Sequence, residues 1–425
     1  MTTTITQQTA PEQGHHGSLS MIQGIALYVG AVVGTGVIAL PALAARAAGP
    51  ASLLAWLGLV LASIPLAATF AALGARHPDS GGVSTYARLA FGPRAGAAVG
   101  WWFFSAVPAG APAAAIFAGA YVESAFGISA YATAAGLFLT VWIANYFGVR
   151  ISGRVQLALA GVLVSLLIVA TVASLPHADL SNLRPFAPHG WAAIGSAAAL
   201  LVWSFAGWEA VTHLAGEFRH PRRDLPRATA AAIVIVGGLY VAIAAASILV
   251  LGPSAGDTDA PLAELLAIGI GGPAKSVGAI LAVLLTLGVM NTYTAGAAKL
   301  GAALGRDGAL PGWLAQGSRA GEIPRRSLAV TMILGIGGFA VVAAAGVGAE
   351  PLVLLTTGSF VAVYALGTAA AVKLLPRRSA GWWTAVAALA TVGVLMVLTG
   401  PYLAWAGIVG VAALFYLRRR SIRET

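Results

Sequence analysis

The chain contains no cysteine, which excludes disulfide staples and thiol chemistry. Charge is almost as scarce. Of 425 residues, 24 are Lys or Arg and 14 are Asp or Glu, 9% of the chain in all. A soluble domain carries about 25% charged and 45–50% apolar residues, whereas here the apolar share is 59%. Too few charges remain to cover a water-facing surface, so the surface must face lipid. A phosphate-cradling Gly-x-x-x-x-Gly-Lys loop is also missing, which disfavours ATP-driven work. The seven histidines (His15, His16, His77, His177, His189, His213 and His220) are scattered rather than gathered with carboxylates. That disfavours a membrane-embedded enzyme, the first alternative. Neither filter-like repeats nor charged rings mark the second, an ion channel.

The charges that exist are clustered. Charge-free stretches occupy residues 13–45, 47–75, 95–122, 124–149, 155–178, 185–208, 228–256, 276–298, 327–349, 351–372 and 379–417. Each exceeds the ~20 apolar residues that cross a ~30 Å bilayer core. The last is long enough for two crossings, and Thr399-Gly400-Pro401 divides it, because proline ends or kinks a helix. Twelve crossings follow. Long uninterrupted runs, rather than alternating segments of ~10 residues, make them helices and not the strands of a barrel.

An even number of crossings returns both termini to one side, and Arg418, Arg419, Arg420 and Arg423 mark that side as cytoplasmic. In this orientation 21 of the 24 basic residues fall inside, the exceptions being Arg46, Arg184 and Lys275. The net charge of +10 is then the positive-inside bias facing anionic head groups. It implies a lipid bilayer as partner and no nucleic acid. Residues 1–19 read as a disordered cytoplasmic tail without the basic start of a cleaved signal, and residues 419–425 as a basic cytoplasmic tail.

Two crossings carry glycine interruptions. In the first, GIALYVGAVVGTGVIALP, the triplet Gly34-Thr35-Gly36 lies near the middle. It reads either as a break whose free amides bind a carboxylate, or as close packing through the Gly30/Gly34 pair. In the sixth, Trp203-Ser204-Phe205-Ala206-Gly207-Trp208-Glu209, a glycine sits between aromatics and precedes an acid. Glu209 is the Asp or Glu placed well inside a crossing. A charge there costs ~2.5–3.5 kcal/mol, which makes it either a proton carrier or a bolt that holds the helix. The two interruptions start matching halves, residues 20–176 and 190–374, with residues 379–418 (crossings 11 and 12) appended. Paired interrupted segments of this kind point to a transporter site.

These motifs, with His77-Pro78-Asp79-Ser80-Gly81-Gly82 after the second crossing, WSFAGWEAVTHLAGEFRHPRRDLPRA from Trp203 to Ala228, and Arg306-Asp307-Gly308-Ala309-Leu310-Pro311 after the eighth, resemble the amino acid–polyamine–organocation superfamily of transporters. Within it the chain is similar to the bacterial methionine and branched-chain amino acid exporters, over residues 20 to 375. The resemblance implies an all-α membrane protein with an inverted five-plus-five (LeuT-like) repeat, in a bacterial plasma (inner) membrane. It implies that the backbone of Gly34, Thr35 and Gly36 holds an amino acid's carboxylate, and that carbonyls near Phe205, Ala206 and Gly207 hold its ammonium. Trp203 resembles a gating aromatic, Asn291 falls at a substrate-facing position, and Glu217 reads as an intracellular gate or loop anchor. The lysine that some proton-coupled relatives carry in the fifth crossing is missing from Val155 to His177. Ala31 stands where carriers of arginine have asparagine, and Lys299 where arginine is common.

A zwitterion needs no formal charge from a site of this kind, since each end of a broken helix offers the matching partial charge. A side-chain pocket of Trp203, Phe205, Trp208 and Tyr293 would be apolar. The expected cargo is therefore a neutral aliphatic amino acid such as leucine, isoleucine, valine or methionine. No cofactor is expected. The coupling ion would be a proton on Glu209, with sodium on the Thr292 or Thr294 hydroxyls as the alternative. A superfamily carrier for a different amine or amino acid is the remaining reading.

Overall fold

A computed structural model describes residues 20–77, 82–148, 153–209, 218–319 and 322–423. The expected tail 1–19, the loop positions 78–81 and Glu217 lie outside the described residues. The described residues form fifteen α-helices: α1 (Met21–Val32), α2 (Gly36–Ala48), α3 (Ser52–Arg76), α4 (Val83–Phe91), α5 (Pro93–Phe126), α6 (Ala130–Tyr146), α7 (Gly153–Ser174), α8 (Ala193–Leu201), α9 (Pro221–Leu251), α10 (Pro261–Gly269), α11 (Pro273–Arg306), α12 (Arg325–Ala345), α13 (Glu350–Leu374), α14 (Ala380–Thr399) and α15 (Leu403–Arg423). Among the described residues eight helical runs are long and apolar enough to cross a bilayer. Large apolar side chains also point outward, with Val234, Ile333, Val397 and Val411 between 68% and 79% exposed. That arrangement suits a multi-pass membrane protein and no water-soluble one.

The 34-residue α5 is the hub, packed against α11, α13, α6, α12 and α15. Small residues let its neighbours approach. Gly119 abuts the Ala130 carbonyl at the start of α6 and leaves no room for a Cβ, and a Cβ at Gly100 would come within 2.7 Å of Leu304 on α11. The indoles of Trp101 and Trp102 donate to the carbonyls of Ala309 and Ala406 (2.7 and 2.8 Å).

Two details depart from simple expectation. α15 runs on to Arg423, through the segment read as a basic tail, because no helix breaker follows Leu417. The Arg419 guanidinium lies 4.2 Å from the Phe415 ring centroid, one turn back. And two of the three basic residues that break the charge asymmetry have carboxylates beside them. Arg46 Nη2 is 2.9 Å from Asp259, and Lys275 Nζ is 2.6 Å from Glu264. Each has a neutralising partner, so neither stands as a lone positive charge on its side.

Candidate functional site: a hollow between two broken helices

The first break begins with a well-made helix. Ser20 caps α1 through a reciprocal pair with Gln23, and the helix then runs to Val32. Val33 turns away at φ −76°, ψ 80°, and the Gly34 amide donates to the Val32 carbonyl at 2.9 Å, closing a three-residue turn. Helix resumes at Gly36. The first amides of α2 therefore have no helical carbonyl behind them and form the positive end of its dipole.

The second break is more severe. α8 tightens into a 3-10 turn over Val202–Phe205, and the chain is then extended at Ala206 (φ −70°, ψ 135°). Gly207 follows at φ +127°, a conformation open in practice to glycine alone. Space makes the same demand, since a Cβ here would lie 2.9 Å from the Ala31 carbonyl oxygen and 3.3 Å from Val32 Cα. The two interrupted backbones thus touch.

One side chain holds them together. The Tyr240 hydroxyl of α9, fully buried, donates between the Val32 carbonyl (2.7 Å) and the Ser204 carbonyl (3.0 Å). Both are carbonyls that a continuous helix would have paired. Tyr240→Phe removes this donor while keeping the ring, leaving the buried Ser204 carbonyl without it at a cost of about 1–3 kcal/mol, while the Val32 carbonyl keeps the Gly34 amide. We expect a lower thermal unfolding temperature for the variant in detergent; an unchanged one would show that the hydroxyl does not hold the breaks.

Glu209 is 5% exposed. Its Oε2 accepts from the Gly207 amide (3.0 Å) and from the Tyr364 hydroxyl of α13 (2.7 Å), so the acid closes the broken segment and ties it to α13. Sequence inspection missed Tyr240 and Tyr364. The signal available was that each is a tyrosine deep in an apolar run, where a hydroxyl must find a partner.

Between the breaks lies a cavity of about 600 Å³, walled by α5, α7, α11 and α13. That is the size of a small-molecule site. Gly34, Thr35, Gly36, Trp203, Ala206 and Glu209 all line it, together with Tyr293. Four other expected site residues do not. The Phe205 ring turns outward to Trp56 and Tyr240 (centroids 6.2 and 5.3 Å), and Trp208 packs on Tyr28 at 5.9 Å. The 3-10 turn rotates Phe205 off the face that a regular helix would have given it, and the extended Ala206 and left-handed Gly207 do the same for Trp208. Gly207 faces α1. Asn291 accepts from Asn145 Nδ2 of α6 at 2.8 Å, so the pair bolts α6 to α11, and the next residues, Thr292 and Tyr293, reach the hollow instead. Buried amides seek partners across helices, and this one has found its own. Phe103 and Ser204 line the cavity as well. The Ser204 Oγ is buried with no hydrogen-bond partner.

The hollow is polarised along its length. Its lining runs from Ala26, Leu27, Gln156 and Leu157, near the starts of α1 and α7, to Gly36 and Trp203, and includes no described residue of α2 beyond Gly36. The Trp203 indole closes that end, set between Gly36 and Gly110, where a Cβ would lie 2.7 and 3.3 Å from it. Behind it α2 is stapled down: the Tyr121 hydroxyl donates to the Ile38 carbonyl (2.6 Å), and Arg46 Nε donates to the Gly256 carbonyl (2.7 Å).

Among the described lining residues Glu209 alone is an acid or a base. No group of three or more His, Asp or Glu suited to a metal occurs among the described residues. Of the hydroxyls considered for sodium, Thr292 donates to the Gly288 carbonyl and Thr294 is buried away from the hollow. Amides at one break, carbonyls at the other and apolar walls between can hold a small dipolar solute.

Known proteins resemble the chain along most of its length. The family described as amino acid permease matches residues 19–422. The uncharacterized amino acid permease YecA of Bacillus subtilis (strain 168) is 34% identical over 411 residues, covering 95% of this chain and 96% of that protein. The L-methionine/branched-chain amino acid exporter YjeH of Escherichia coli (strain K12) is 37% identical over 227 residues, 52% of this chain and 54% of its own. The branched-chain amino acid permease BcaP of Bacillus subtilis (strain 168) is 28% identical over 318 residues, 68% and 67% of the two chains.

Proposed function

This chain belongs to the amino acid permease family, and from that premise we propose that it is a secondary carrier of neutral aliphatic amino acids such as leucine, isoleucine, valine or methionine. It is a transport protein and not an enzyme. The observation that carries the substrate reading is the contact between two interrupted helices over one apolar hollow. The substrate carboxylate meets the backbone of Gly34, Thr35 and Gly36 at the amino end of α2, with the Ser204 hydroxyl beside it. The ammonium meets the backbone carbonyl freed at Ala206, the residue of the broken stretch Phe205 to Gly207 that lines the hollow. The side chain extends among Trp203, Phe103 and Tyr293. A charged side chain would find no partner there except Glu209, which already accepts two hydrogen bonds.

The chain crosses the membrane twelve times in this reading. The eight long runs supply nine crossings, because Ala380–Arg419 holds both α14 and α15. The 17-residue α6 supplies a tenth. α1 with α2, and α8 with the segment after it, cross as broken units. α1 to α7 and α8 to α13 then form two five-crossing halves of opposite orientation. Both termini lie in the cytoplasm of a bacterium and the chain spans its plasma membrane. The hollow opens towards the starts of α1 and α7, on the cytoplasmic side, with Trp203 and the α2 staples closing the other. Transport alternates this state with its reverse, and a proton on Glu209 couples the exchange to the gradient.

Counterflow in proteoliposomes tests the substrate class. Labelled leucine exchange is expected to be competed by isoleucine, valine and methionine and left alone by arginine and glutamate. Preference for a charged amino acid would overturn the reading.

A further inference from the structure

A second cavity, about 700 Å³, opens on the outer surface between α3, α9 and α14. Its shape comes from how α3 and α9 diverge. They touch where Gly237 meets Val60, at 2.7 Å from a Cβ built on the glycine. One turn further on, Ile64 and Ile233 line the cavity, and from there it deepens between small residues (Ala68, Ala72 and Ala230) to end at Arg76 and Arg222. From Ile64 to Arg76 the helix rises about 18 Å, close to half of a ~30 Å bilayer core. The groove therefore has the depth of one leaflet, apolar along its length and basic at the membrane surface.

Among the described residues nothing neutralises the two arginines. Both are exposed, and neither has a hydrogen-bond or ion-pair partner among the described residues. Arg76 reaches the first turn of α14, where Nη1 lies 3.7 Å from the position of a Cβ on Gly381. A soluble anion would use this basic end and leave the apolar length unfilled; a neutral lipid would do the reverse. From this complementarity we infer that the groove binds one anionic phospholipid, its phosphate between Arg76 and Arg222 and an acyl chain along the α3–α9 seam.

The groove is linked to α1, other residues of which line the substrate hollow. Thr229 lines the groove, and its hydroxyl lies 2.7 Å from that of Tyr28 on α1, the half-helix whose far end breaks at Val33. An occupied groove would steady α9, and through this contact α1.

The test uses the full chain, purified in detergent and offered phosphatidylglycerol or phosphatidylcholine before native mass spectrometry. One retained phosphatidylglycerol is expected, with retention of phosphatidylcholine at least about tenfold lower. R76Q/R222Q, checked for folding by its unfolding temperature, should lose the difference, whereas R76K/R222K, which keeps both charges, should preserve most of it. Equal retention of the two lipids by the wild type, or an undiminished preference in R76Q/R222Q, would overturn the site. So would displacement of the lipid by inorganic phosphate alone. Should the double variant not fold, R76Q and R222Q are compared singly; each must weaken retention, and if neither does the inference is wrong.

Discussion

Glu209→Gln is expected to abolish proton-driven accumulation of leucine in proteoliposomes while leaving leucine counterflow close to wild type. The physical basis is that glutamine matches the acid in volume, and its amide oxygen can take the place of Oε2, which accepts from the Gly207 amide and the Tyr364 hydroxyl. The broken segment and its tie to α13 are thereby kept, and the group that can gain and lose a proton is gone. Counterflow needs only the substrate site and the conformational change, with no net proton movement. Accumulation should fall by at least about tenfold, the effect of ~1.4 kcal/mol on the coupled step. Undiminished proton dependence would remove Glu209 from coupling. Loss of counterflow as well, in a protein that still unfolds at the wild-type temperature, would make the acid part of the substrate site instead.

Gly207→Ala should be nearly as damaging, for a different reason. An alanine at φ +127° is strained by about 1–3 kcal/mol, and its Cβ would sit 2.9 Å from the Ala31 carbonyl oxygen. That neighbour is backbone and cannot swing aside, so one break has to move off the other. Counterflow is expected to drop to a small fraction of wild type, with a lower unfolding temperature. Gly238→Ala is the control. It lies inside α9, its Cβ would meet nothing within 4 Å, and replacing a helical glycine by alanine favours the helix by up to ~1 kcal/mol. A Gly207→Ala protein that transports like the control would mean the two backbones need not touch.

Much of this site was readable from residue order, and the part that was not has a common cause. Gly34-Thr35-Gly36 and Gly207 could be found because glycine inside an apolar run leaves a mark in one dimension. Glu209 could be found because an acid in lipid is costly enough to be rare. Phe205, Trp208 and Asn291 lie off the hollow for different local reasons: the 3-10 turn at Phe205, the extended Ala206 and left-handed Gly207 before Trp208, and the face of the regular α11 that Asn291 occupies. Where a regular helix tightens to a 3-10 turn, residues shift face by tens of degrees, and no pattern of residue types records it. Tyr240 and Tyr364 were missed because each acts on a break more than 30 positions away in the chain. The same holds for the groove between α3, α9 and α14, whose arginines come from separate helices.

The order of residues alone thus determined that the chain lives in lipid, that it is helical, and where its helices are interrupted. Those properties depend on the solvation of each segment by itself: apolar length against bilayer thickness, and glycine and charge against the cost of leaving polar groups unpaired. Folding in three dimensions decided which interrupted ends meet, which side chains face the hollow, and which hydroxyls satisfy the stranded carbonyls. Those outcomes turn on packing and hydrogen bonds between helices distant in the chain, where an ångström or a fraction of a turn separates a lining residue from a buried bolt.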